Sequence, residues 1–214
     1  MTTEFQGRES KLNQRGAGVQ SVIRQDQYAN LLVSQSLPKY ADLALNNKLF
    51  AAATGNGTFI APAIAPLTTN AGHLLYNSSA NKILIILRVW ANLESGTRAI
   101  GSSLWGAVTT TAEASAPAKA TSSTIGGIGH NASSVAVYDN AVTLDAAPVW
   151  FLLAARDTLA DANESSGILT ADLDGMVIVP PTLCFAVAVR DSAAGTTPLY
   201  NVGFIWAELA LDQA

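Results

Sequence analysis

Charged side chains are scarce in this sequence. They make up 13% of its 214 residues, against roughly 25% in an average soluble domain. A disordered acidic or basic chain is excluded, because such chains are rich in charge and poor in apolar residues, and here hydrophobic residues reach 49%. No apolar run approaches the roughly 20 residues of a membrane-spanning helix, so no membrane partner is expected. The first 30 residues hold no apolar h-region and are dotted with charges, so no signal peptide is expected either. What is left is a folded protein with too few charges to wet its whole surface. We read the deficit as surface that lies against other protein chains.

Residues that carry chemistry are equally sparse. The single cysteine, Cys184, excludes an intrachain disulfide framework and lies in an apolar strand pattern, where it reads as a small buried hydrophobe. There are two histidines, His73 and His130, and no HExxH, CxxC or GxSxG motif, so neither a metal site nor a catalytic residue is expected. Ile125-Gly126-Gly127-Ile128-Gly129 lacks the Lys-Ser/Thr of a phosphate-binding loop and reads as a flexible loop. Asp157, Asp161, Glu164, Asp172 and Asp174 gather within 18 positions, a pattern open to paired-carboxylate hydrolysis or a structural cation. Asp174-Gly175, however, is first of all a hairpin-turn signal. Trp90, Trp105, Trp150 and Trp206 fall in apolar stretches and read as core. Asn77-Ser78-Ser79 and three other stretches match the glycosylation pattern and read as accidents of composition.

Charge is also unevenly placed. Residues 1–50 carry six basic and four acidic groups, a net of +2; residues 51–214 carry six basic and twelve acidic, a net of −6. The basic head is far too weak for sequence-independent nucleic-acid binding. It suits an arm lying on an acidic protein surface, another copy of its own body included.

Residues 1–46 therefore read as an extended, partly helical N-terminal arm. Spacings of three and four through Tyr28, Leu31 and Leu32, with Asp26 as N-cap, predict a short helix up to Pro38. A second helical turn is predicted around Tyr40, Leu43 and Ala44. From Asn47 the pattern is β: about ten short strands with turn signals every 8–20 residues and no amphipathic helix between them. Residues 47–214 are thus predicted to form an all-β domain, an antiparallel two-sheet β-sandwich of jelly-roll type. One strand has a large apolar face, Leu183, Phe185, Val187 and Val189. Its other face is small, through Cys184, Ala186 and Ala188, which predicts close approach by a second layer from this chain or a neighbour. Residues 109–124, with alanine at every second position from Ala112 to Ala120, read as a long exposed loop.

Three stretches give the body a family resemblance. They are Asn47-Lys48-Leu49-Phe50-Ala51-Ala52; Thr69-Asn70-Ala71-Gly72-His73-Leu74-Leu75-Tyr76-Asn77 with the strand Ile83–Leu87; and Leu173-Asp174-Gly175-Met176-Val177-Ile178-Val179-Pro180-Pro181 with the closing Phe204-Ile205-Trp206-Ala207-Glu208. In order and spacing these resemble the jelly-roll decoration, or cement, proteins of tailed-bacteriophage capsids. The resemblance implies a non-enzymatic structural virion protein on the outer capsid surface, made in the bacterial host cytoplasm, with no cofactor. It carries over no active-site residue. Such a protein is expected to bind the major capsid protein and itself, as a homotrimer suited to the threefold sites of a shell. The arm supplies the expected contacts: Arg8, Lys11, Arg15 and Arg24 as polar anchors, Tyr28, Leu31 and Leu32 as apolar ones. The alternative is a glycan-binding host-recognition module of a tail fibre or spike, which predicts exposed aromatic side chains on loops.

Overall fold

The computed structural model describes residues 40–54, 59–63, 67–69, 71–97, 101–109, 125–140, 142–155, 168–191 and 196–211, with two short N-terminal strands. The chain divides into two compact units, Met1–Ala41 with Gln213, and Asp42–Asp212 with Ala214. In the first, β1 (Phe5–Arg8) and β2 (Gln20–Ile23) pair antiparallel, with Phe5 opposite Ile23 and Arg8 opposite Gln20. The helix predicted after Asp26 lies outside the described residues, as does the alanine-rich stretch beyond Thr109. The predicted turn of helix near Tyr40 is α1 (Ala41–Leu45). It stops at Asn47, whose φ of 58° is left-handed, a common way to end a helix.

Ten strands follow in the second unit: β3 (Leu49–Ala53), β4 (His73–Asn77), β5 (Lys82–Thr97), β6 (Ser103–Thr109), β7 (Gly126–Gly127), β8 (Ala136–Asn140), β9 (Phe151–Ala155), β10 (Ile168–Val179), β11 (Cys184–Arg190) and β12 (Thr196–Ala210). They form two antiparallel five-stranded sheets, ordered β10-β5-β12-β3-β7 and β8-β4-β11-β6-β9. The fold is an all-β sandwich. Its pairings nest: β3 with β12, β4 with β11, β5 with β10, and β6 with β9. The outermost strands in sequence thus pair with each other, and each inner pair lies within the previous one, alternating between the sheets.

The sheets join through apolar faces. Phe50, Leu84, Ile86, Val89, Phe204 and Trp206 line one sheet; Leu75, Leu104, Tyr138, Phe185 and Val187 line the other, all buried. Alternation along the strands places most of these residues on a shared side; in β5 an extra residue at Leu87, between Arg88 opposite Ile205 and Ile86 opposite Trp206, brings Ile86 and Val89 to the same face. Phe204 stands at the centre, edge-on to Tyr138 (centroids 5.5 Å apart) and to Phe185 (6.1 Å). Such pairs contribute about 0.5–1.5 kcal/mol beyond area burial.

The small face of β11 is covered by this chain itself. Cys184 and Ala186 pack with Leu74, Ala71, Val142 and Leu144, and Trp150 rests against them. Cys184 is buried, as its apolar context predicted. Val142–Leu144 joins neither sheet, contrary to the strand predicted there. It runs beside residues 69–71, with Ala71 N–H donating to Val142 O (3.1 Å) and Leu144 N–H to Thr69 O (2.7 Å). Leu144 and Val142 are thereby pressed onto the alanine row, where larger side chains would hold them off.

Three further expectations need correction. Asp174-Gly175 is not a hairpin turn, since β10 pairs with β5 on both sides of it. Asp172 lies opposite Arg88 and Val177 opposite Ile86, so five steps along β10 answer two along β5. Asp174 and Gly175 have φ of 47° and 89°, and the excess residues form a bulge. The glycine cluster is not merely loop either: Gly126 and Gly127 pair with Ala51 and Phe50 as the last strand of a sheet. Nor are all four tryptophans core. Trp206 is fully buried, but Trp90, Trp105 and Trp150 are half-buried.

Trp90 explains one glycine. Its indole lies flat over Gly203 on the outer side of the sheet, so a Cβ at position 203 would sit 2.0 Å from Trp90 Cζ2. Gly203→Ala is expected to cost roughly 1–3 kcal/mol by overpacking. The cost should shrink in a Trp90→Ala background, where the ring is gone. Chemical denaturation of the four members of this cycle checks it; equal losses in both backgrounds would contradict the ring contact.

Candidate interaction surface

At one end of the sandwich the two sheets finish on β9 and β10. Neither strand is covered on its outer side by another described element, and both carry exposed apolar side chains, on β10 beside exposed Thr170, Asp172 and Asp174. β9 does not alternate between buried and exposed: Phe151 and Leu152 are exposed, and Leu153 and Ala154 are half-buried. On β10, Met176 is 78% exposed and Ile178 48%. Val108, near the end of β6, adds to the same strip. Between them runs a groove of about 660 Å³ lined by Val108, Phe151, Leu152, Met176, Val177 and Ile178. Phe151 anchors it to the core by stacking 6.5 Å from Phe185.

The sequence builds this groove in two steps. β10 keeps one alternation through its bulge, so Leu169, Ala171, Leu173 and Val179 point into the core while Met176 and Ile178 are left outside. On β9 the run Phe151-Leu152-Leu153 has no polar residue to give to solvent, so both sides of an edge strand are apolar. Apolar side chains gathered on an edge mark contact surfaces, because solvent-facing edges are otherwise blunted by charge. The charged group at the rim is Asp172, which accepts a hydrogen bond from Arg88 Nε. Both side chains are about half exposed, so their pairing contributes little to stability.

The buried polar groups serve the scaffold. His73 is 1% exposed, and its Nδ1 shares a hydrogen bond with the Tyr138 hydroxyl (2.9 Å), itself 3.1 Å from Thr54 Oγ1. Burial lowers the His73 pKa to about 3 and raises that of Tyr138, so both stay neutral. His73 also borders a cavity of about 240 Å³ and is the one titratable group among its lining residues. His130 Nε2 donates to Leu49 O (2.8 Å), and its ring stands edge-on to Phe50. Glu208, 3% exposed, accepts from Ser134 Oγ (2.6 Å), Val135 N–H (2.9 Å) and Lys82 Nζ (3.3 Å), tying the approach to β8 to the end of β12. Asn77 is fully buried and donates to Lys82 O and Val179 O, which takes it out of reach of glycosylation in the folded chain.

Of the arm residues singled out from sequence, Arg8 ends β1. Lys11, Arg15, Arg24, Tyr28, Leu31 and Leu32 lie outside the described residues, as do Asp157, Asp161 and Glu164. Among the described residues no three His, Cys, Asp or Glu side chains gather where they could hold a metal ion, and no helix is long and apolar enough to cross a membrane. The groove itself escaped the sequence reading. Its signal was two strands, Val149–Ala155 and Met176–Val179, apolar at successive positions, which is equally the pattern of a fully buried strand. No protein-family model matches this chain, and no curated protein is significantly similar to it.

Proposed function

We propose that this protein is a structural subunit of a phage particle, a decoration or cement protein that self-associates and seats on the outside of the capsid. The observation that carries the reading is the exposed apolar groove at the open end of a charge-poor sandwich. Such a surface calls for protein contact and needs no chemistry. The nested pairing of eight strands supports a jelly roll, the architecture that viral capsid domains share with lectins and cupins. Cementing works by area and number: each copy spans a junction between shell proteins, and many weak contacts act together.

A host-recognition module draws on the three half-buried tryptophans. Each of these is already engaged within the chain: Trp90 over Gly203, Trp105 Nε1 donating to Ser103 Oγ (2.9 Å), and Trp150 Nε1 donating to Thr68 O (3.0 Å). Indoles held this way are poorly placed to stack on a sugar, so we favour the capsid reading. The test is a cryo-EM map of the particle with which the protein co-purifies. Density at regular positions on the shell is expected; density confined to the tail tip would overturn the proposal in favour of recognition.

A further inference from the structure

We propose that the link between Asp174 and Gly175 is a site of spontaneous covalent modification, at which aspartate converts to isoaspartate in the folded protein.

The bulge in β10 calls for these two residues. Gly175 has a φ of 89°, which residues with a side chain rarely adopt, and a Cβ there would meet Ile85 Cγ2 at 3.1 Å. Asp174 has a φ of 47°, in the left-handed region that aspartate and asparagine enter more readily than most residues. The shape of the bulge thus selects Asp followed by Gly, a pair that occurs once in the sequence.

That pair is chemically labile. The Gly175 nitrogen attacks Cγ of Asp174: an N–Cγ bond forms, the carboxyl C–OH bond breaks, and water leaves with the amide proton. The product is a five-membered succinimide, which water reopens. Breaking the new N–Cγ bond restores aspartate. Breaking the bond from the nitrogen to the main-chain carbonyl carbon of Asp174 gives isoaspartate. No oxidant, metal or partner enters the balance. Glycine, lacking a Cβ, does not hinder the approach of its own nitrogen.

In a paired strand the ladder holds each amide nitrogen away from the preceding carboxyl, and no near-attack geometry is reached. Here the ladder is interrupted. Pairing with β5 stops at Asp172 opposite Arg88 and resumes at Val177 opposite Ile86. β10 ends its sheet, so no other strand of that sheet holds the bulge from the far side. Asp174 is exposed, which admits the water that opens the ring. The other described aspartates lack this combination. Asp139 and Asp191 are buried. Asp172 lies in the ladder and precedes leucine, Asp42 lies in α1 and precedes leucine, and Asp145 is exposed but precedes alanine. Isoaspartate adds one carbon to the main chain of β10, two residues before exposed Met176, so the change falls on the rim of the apolar groove.

The test holds the full-length protein at neutral pH and physiological temperature for several weeks. Samples are digested and mapped by mass spectrometry with electron-transfer fragmentation, which separates isoaspartate from aspartate. A parallel incubation in guanidinium chloride gives the rate for the unfolded chain. In the native protein, isoaspartate is expected at position 174 at a rate within about tenfold of the unfolded chain and roughly tenfold above Asp145 or Asp172. A native rate below either bound overturns the proposal. Asp174→Asn retains a residue at home in the left-handed region, and circular dichroism verifies its fold. This variant is expected to convert faster, losing ammonia in place of water, and to show the mass gain of deamidation at 174. Retention of the amide in the native variant while the unfolded one loses it also overturns the proposal.

Discussion

Replacing Phe204 with alanine is expected to lower the unfolding free energy by about 3–5 kcal/mol, the range for emptying a buried aromatic site. Phe204 is fully buried in β12, the middle strand of its sheet, and its ring meets Tyr138 and Phe185 of the opposite sheet. Neighbouring side chains on both layers are fixed by their strands and cannot collapse into the space. Domains are stable by about 5–15 kcal/mol in total, so this one change is expected to remove a large share of the stability. The comparison is Ile205→Ala, one residue along. Ile205 faces the outer side and is half-buried, so about 1–2 kcal/mol is expected there. Urea unfolding followed by tryptophan fluorescence gives both values. Equal losses would contradict a core that lies between the sheets.

The second large effect is acid lability. His73 is held neutral in the fold, with its pKa lowered from 6.5 to about 3 by burial. An unfolded chain takes up a proton on this residue below about pH 6.5, and the folded one does not. The unfolded state therefore binds more protons between the two values. Stability is fully present above 6.5 and is lost as the pH falls toward 3. The groups facing His73 do not reverse the sign: Tyr138 is neutral throughout, and Thr54 beyond it does not titrate. Between pH 7.5 and 5, above the main carboxylate range, a loss of about 2 kcal/mol is expected from this residue alone. Urea midpoints at pH 7.5, 6 and 5 measure it, and His73→Gln should flatten the slope. A midpoint that does not move over this range would mean that His73 is charged, or is free to become so.

These residues also show how far the sequence could be read. The alternation Leu183-Phe185-Val187-Val189 announced a core face, and the row Cys184-Ala186-Ala188 announced a layer pressed on its back. Both readings rest on side-chain size and period, which a chain carries locally. Asp174-Gly175 misled because a left-handed pair is compatible with a turn and a bulge alike; what decides is whether the same partner strand continues on both sides. Gly203 and Trp90 are 113 positions apart, so nothing local tied the glycine to the ring above it. His73 read as an isolated histidine because its partners, Tyr138 and Thr54, come from elsewhere in the chain. The groove was hidden for the same reason. Phe151-Leu152-Leu153 has the composition of a central strand, and its place at an edge is a property of pairing order.

The nested order has a consequence for how the protein is made. β12 lies between β5 and β3, and of the described strands it is the last to leave the ribosome. Until it emerges, the first sheet has a gap at its middle, and Phe204 and Trp206 have not yet arrived to fill the space opposite Phe185. Synthesis therefore yields a long, apolar, half-paired intermediate, and folding waits on contacts between the ends of the domain, the most slowly formed kind. Such an intermediate exposes apolar surface and unpaired strand edges, the state in which chains aggregate. Shortening it by the length of β12 should leave no foldable remnant.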